Sequence, residues 1–140
     1  MDRHAGFEVL EHTADAGIVA SGSTLEEAFS HAAQGMYSLM VDLGDVREVE
    51  SRGMHVEAKD LPNLLSSWLV ELLFLTETDS LLFSRFDLKI HGNTLHGRAY
   101  GEHIDLARHK LGGAVKGVTR HLLEVSQSSD GYQARVLFDM

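Results

Sequence analysis

Only two stretches of this 140-residue chain repeat their apolar residues at three- and four-residue steps. The remaining apolar residues alternate at period two or fall in short runs between polar turns, the pattern of strands. Two helices against seven or so strands, many joined by hairpins, predict an α+β fold in which both helices pack on a largely antiparallel β-sheet. In the first helical stretch Leu25, Ala28, Phe29, Ala32, Ala33, Met36 and Met40 share a face. Ser23 and Glu26 have the spacing of a capping box at its start, and it should end before Gly44. The second stretch runs from Leu61 to Thr76, with Asp60 as N-cap and the chain's single proline, Pro62, tolerated in the first turn. Leu61, Leu64, Leu65, Trp68, Leu69, Leu72 and Leu73 give it a broad apolar face.

Strands are expected at residues 7–11, 17–20, 54–58, 86–91, 94–100, 114–126 and 132–138. Gly92-Asn93 is a two-residue hairpin link, and Ser129-Asp130-Gly131 turns the last pair. No linker or low-complexity tract divides residues 1–140, so they read as one domain. Apolar residues make up 44% and charged residues 24%, enough to bury a core.

Twelve basic against twenty-one acidic residues give a net charge of -9, without the basic face that phosphate-gripping nucleic-acid binders need. No cysteine is present, which excludes disulfides, thiol nucleophiles and Cys-ligated zinc. The longest apolar stretch, Leu64 to Leu75, is interrupted by Ser66, Ser67 and Glu71 and falls short of the ~20 residues of a membrane span. The first six residues lack an apolar signal region, so a cytoplasmic location is the expectation.

Phosphate loops, dinucleotide fingerprints, His-Glu-x-x-His and Gly-x-Ser-x-Gly are all absent. Of the nine histidines (His4, His12, His31, His55, His91, His96, His103, His109 and His121), His91 and His96 would face each other across a hairpin as a soft-metal pair. Most of the nine read as solvated or hydrogen-bonded structural groups, and a closed zinc site would need further ligands.

His12-Thr13-Ala14-Asp15 is a polar interruption between two strand candidates. Its simplest reading is a turn in which Asp15 caps its own backbone. The other reading starts from Phe138-Asp139-Met140, which follows an apolar strand directly. Were Asp15 to lie beside that end, Asp15, Asp139 and the Met140 carboxylate would gather negative charge that calls for raised pKa values or a hard cation. Oxygen-only ligands favour calcium, magnesium or manganese over zinc.

Several motifs together resemble one family. Glu11-His12-Thr13-Ala14-Asp15-Ala16-Gly17-Ile18, then Gly22-Ser23-Thr24-Leu25-Glu26-Glu27-Ala28-Phe29 and Ala-Ala-x-x-Met at Ala32 to Met36, look like the opening signature of the archeases. Residues 60–75 resemble the family's second helix, Gly101-Glu102 through His109 its central loop, 115–119 its late strand, and Phe138-Asp139 its ending. The resemblance spans nearly the whole chain. Departures fall at Ala16, where an aliphatic residue is common, at Arg120, where an aromatic one is, and at Met140, where Ile is usual.

The resemblance implies a non-enzymatic activator of the RtcB-type RNA ligase, promoting GTP-dependent guanylylation of the ligase and its multiple turnover in tRNA splicing or RNA repair. It implies a divalent cation, calcium ahead of magnesium or manganese, on Asp15, Asp139 and the Met140 main chain. An acidic partner would be steered to the ligase's basic cleft without competing for RNA. Two other classes fit the residues alone. One is a divalent-metal hydrolase or phosphotransferase using the two aspartates and a histidine base. The other is a chaperone-like binding module with a structural metal.

Overall fold

In the computed structural model, which describes residues 3–4, 6–11 and 15–140, the alternating segments form strands and the two periodic stretches form helices. The order is β1 (Arg3–His4), β2 (Phe7–Glu11), β3 (Asp15–Gly22), α1 (Leu25–Ser38), a 3₁₀ turn (Leu43–Asp45), β4 (Glu50–Glu57), α2 (Leu61–Asp79), β5 (Leu81–His91), β6 (Thr94–His103), β7 (Gly117–Ser128) and β8 (Gly131–Asp139). The strands divide into two antiparallel sheets rather than one, ordered β1-β2-β3-β8-β7 and β4-β6-β5. α1 packs on β2, β3 and β8 of the first sheet and on β5 of the second, while α2 packs on β7 and on β4, β5 and β6. The helices therefore form a layer between the sheets, as apolar stripes on two-sided helices require.

Trp68, Tyr37, Phe29 and Phe83 are fully buried in this layer and its neighbours. Their polar atoms are matched: Trp68 Nε1 donates to the Phe29 carbonyl at 3.2 Å, and the Tyr37 hydroxyl donates to the Leu72 carbonyl at 3.1 Å and lies 2.7 Å from Thr76 Oγ1. Burial pushes the Tyr37 phenol well above its usual range, so it stays neutral and keeps that donor.

The α1 cap sits one residue later than the Ser23/Glu26 spacing predicts. Thr24 is the N-cap and its hydroxyl accepts from the Glu27 amide, while Ser23 Oγ donates to the Glu27 carboxylate. Both Ser-x-x-Glu and Thr-x-x-Glu frames exist at this point, and the chain uses the second, with Thr24 in extended backbone at φ -128° and ψ 163°. α2 begins with Asp60 as N-cap, as read from the sequence, and continues three residues past Thr76 to Asp79. Gly92, the first central residue of the β5–β6 link, has φ +60°, which a type II′ turn requires there.

Ser80 closes α2 in the left-handed conformation, with φ 54° and ψ 46°, where a side chain is strained and glycine is not. Ser80→Gly is expected to raise stability by about 0.5–1 kcal/mol, read as a shift in the denaturant midpoint at unchanged slope. The Ser80 carbonyl, which accepts from the Ile104 amide at 2.8 Å, is retained in that variant.

Candidate functional site

Asp15 is not in a turn. It is the first residue of β3, and its partner across the ladder to β8 is Asp139. The rest of the predicted polar link, His12, Thr13 and Ala14, lies outside the described residues. Residues directly opposite in an antiparallel pair point to the same face, with Cβ atoms about 4.5–5.5 Å apart. The two carboxylates of the sequence reading are thus brought together by strand register. Phe138, Val136 and Ala134, on the other face of β8, are buried in the core, which leaves Asp139 exposed on the outer face and Asp15 half-buried beside it. On the far side of Asp139 the partner is Gly117 of β7, and no atom comes within 4 Å of where a Cβ would stand there. The row Asp15, Asp139, Gly117 is therefore two like charges and an open position.

Like charges directly opposite destabilise a strand pair, and a hard divalent cation removes that cost because carboxylate oxygens are its preferred donors. The donor set fits such an ion. Among the described residues no three His, Asp or Glu side chains converge as a metal site, so a further donor such as the Met140 main chain is needed to complete coordination.

Two other features frame the row. The Thr119 hydroxyl, two residues along β7 from Gly117, is the one buried side-chain polar atom found without a hydrogen-bond partner among the described residues. Immediately after it the β7–β8 register slips: Thr119 pairs with Leu137 and Glu124 with Arg135, so Arg120 to Leu123 bulge out opposite one residue. Leu122 is held at φ 58° there, an unusual value for a branched side chain, and its carbonyl accepts from Arg135 Nε at 2.9 Å. The straight strand expected over residues 114–126 is thus interrupted, and it begins only at Gly117.

The chain reaches Gly117 along a strap, residues 104–116, that has no regular secondary structure. Near its start, within the segment Gly101 to His109 that resembles the family's central loop, is a polar cluster whose contacts the sequence reading did not anticipate. His109 has a fully buried side chain, and its Nδ1 accepts from the Asp105 amide at 2.9 Å, which leaves Nε2–H to donate to Glu102 Oε2 at 3.0 Å. The same Glu102 oxygen accepts from the Arg47 amide at 2.8 Å, and Oε1 pairs with the Arg108 guanidinium. Burial alone would raise the Glu102 pKa, but the Arg108, Arg47 and His109 donors outweigh it and hold the carboxyl at about 2, against an ordinary 4.5.

A folded pKa below the unfolded one means stability that is present above about pH 4.5 and is lost as pH falls toward about 2. Glu102→Gln is expected to lower stability at neutral pH and to flatten the acid limb of the stability curve in that window, followed by urea melts between pH 5 and about 2.

The proposed soft-metal pair is corrected by the sheet register. His91 pairs with Thr94, whereas His96 lies between His55 of β4 and Lys89 of β5. The His55 and His96 rings are stacked, 4.4 Å between centroids and 9° from parallel. Nitrogen lone pairs lie in the ring plane, so in stacked rings they run side by side instead of converging on one ion. His55 Nε2 is 3.3 Å from Glu57. No helix in the described residues is long and apolar enough to cross a membrane.

A helix layer between two antiparallel sheets makes this a single-domain α+β protein. The chain matches the Archease protein family (MTH1598/TM1083) over residues 7–140 and belongs to that family. It is 40% identical to Protein archease of Methanothermobacter thermautotrophicus over 139 residues, covering 96% of this chain and 99% of that one. It is also 40% identical to Protein archease of Saccharolobus islandicus over 136 residues, covering 96% and 98%. The solution structure of Methanobacterium thermoautotrophicum protein 1598 superposes with a TM-score of 0.86 at 39% identity, over 98% of this chain and all of that one. A crystal structure from Thermotoga maritima, described as an archease and possible chaperone, shares the fold with a TM-score of 0.62 at 20% identity, over 99% of this chain and all of that one.

Proposed function

We propose that this protein activates an RtcB-type RNA ligase by promoting GTP-dependent guanylylation of the ligase, and that it does so without catalysing a reaction itself. Family membership supplies the class, and the observation that carries the site is the register pair Asp15–Asp139. Asp15, Asp139 and the main chain of Met140 would hold a divalent cation, calcium first, with magnesium or manganese as alternatives of the same hard-ligand chemistry. When bound, the ion would supply positive charge beside the exposed Asp139, suited to an anionic group such as a nucleotide phosphate. The chain's own part is to fix the two carboxylates by backbone pairing and to keep the Gly117 position open beside them. The acidic balance of the chain, -9, suits approach to a basic ligase cleft.

The test is guanylylation of the matching ligase by GTP with and without this protein. Stimulation is expected, with no GTP or RNA turnover by this protein alone. Turnover by the isolated protein, lost in Asp15→Ala, would support a metal-dependent hydrolase or phosphotransferase instead. Protection of unrelated aggregating clients with no effect on guanylylation would support a chaperone-like module.

A further inference from the structure

The strap from Ile104 to Lys116 contacts the C-terminal half of the candidate site, Asp139 and Met140. The Lys116 amide donates to the Asp139 carbonyl at 2.7 Å, and a Cβ on Gly113 would stand 3.5 Å from the Met140 methyl. Between His109 and Val115, packing does little to place the strap. Residues 110–114 are exposed, and a cavity of about 180 Å³ lined by Met40, Leu73, Leu82, Ile104, Leu111 and Val115 lies between strap and helices. What holds it is a short series of anchors: the buried His109 on Glu102, the Gly112 amide on the Met40 carbonyl at 2.9 Å, buried Val115, and Lys116 on Asp139.

Glu102 is the common point of the first anchor. It joins the end of β6, the segment after the 3₁₀ turn through the Arg47 amide, and the strap through both His109 and Arg108. Arg108 also donates to the Asp45 carbonyl at 2.8 Å, and the turn at residues 105–109 closes on itself through the Asp105 carbonyl, which accepts from the Arg108 and His109 amides. A buried carboxylate with this many donors has one low-energy arrangement, so it sets where the strap begins.

We propose that Glu102 and His109 are positioning residues for the Asp15–Asp139 site, acting through the strap that seats Asp139 and Met140. The inference rests on the cation reading of that site. Releasing the latch lengthens the free span before Gly112 from that starting at His109 to that starting at Ile104, whose amide is held by Ser80. The ordering cost of a span rises with its length, and a span more than doubled weakens anything that requires its closure by about threefold. Linkage makes the effect reciprocal: a cation at the carboxylates should in turn tighten the strap.

The probe is manganese(II) alone, titrated into the full-length protein well below its melting temperature. Glu102→Gln and His109→Gln are expected to bind it about threefold or more weakly, while Leu69→Ala, a core variant that loses stability away from the strap, binds it as the parent does. In the parent protein, manganese should slow hydrogen exchange at the Asp105 and Gly112 amides, and this slowing should vanish in Asp139→Asn. That second measurement holds even if a latch variant does not fold. Unchanged affinity in folded latch variants, or no change in exchange at those amides, overturns the inference and leaves the site reading standing. A parent protein that binds no manganese overturns both.

Discussion

Asp139→Asn is expected to reduce stimulation of ligase guanylylation to the level of ligase alone, with the far-UV spectrum and melting temperature nearly those of the parent protein. Asp139 is exposed at the end of β8 and contributes no buried apolar surface. Its ladder bonds are main-chain and survive the substitution, including the Lys116 amide to its carbonyl at 2.7 Å. Removing one of two opposed charges should leave apo stability equal or slightly higher. A structural metal predicts the reverse pattern, in which lost stimulation tracks a lowered melting temperature and returns on cooling. Stimulation measured at several temperatures below the melt separates the two, and normal stimulation by the variant throughout would remove the carboxylate pair from the mechanism.

Trp68→Ala should produce the largest loss of stability of any single truncation considered, about 3–5 kcal/mol. The indole is fully buried, meets Phe86 edge-on with 5.8 Å between centroids, and donates to the Phe29 carbonyl at 3.2 Å. It ties α2 to α1 and to the three-stranded sheet at once, so collapse around the void would have to move all three elements. Denaturant melts should show a lowered midpoint with little change in slope. A cost under about 1 kcal/mol would mean that the helix layer repacks freely.

How much of this was legible in the sequence depended on how local the governing interactions are. α2 was readable to its first residue because Asp60, Pro62 and the leucine spacing act within one or two turns. The α1 cap falls one position later than the Ser23/Glu26 spacing predicts because Ser23 and Thr24 are both followed three residues on by a glutamate, so both satisfy the local chemistry. At Asp15 the local pattern favours a turn over an acidic cluster, and the residue is in fact the first of β3. Its pairing with Asp139 is settled by strand order, which no short window contains. The split into two sheets and the meeting of His55 with His96 were hidden for the same reason, since β4 and β6 are separated by α2 and β5. The Glu102–His109 latch gave no periodic signal at all: it sits in a polar segment whose side chains look solvated until the backbone around Arg47 and Asp105 closes over them.

The antiparallel pairing of β3 with β8 has a consequence for biosynthesis. Asp15 and Asp139 are 124 positions apart, and β8 lies at the interior of its sheet, between β3 and β7. On a growing chain, β2, β3 and α1 emerge long before the strand that completes them, and the exposed edge of β3 waits for a partner. A nascent or prematurely stopped chain lacking β8 therefore holds neither the central ladder of the larger sheet nor the carboxylate pair. Closure of so long a span comes late and slowly in folding. Presentation of the carboxylate pair on that face thus depends on a strand made long after its partner: any fragment that stops short of β8 carries Asp15 without the residue that stands opposite it.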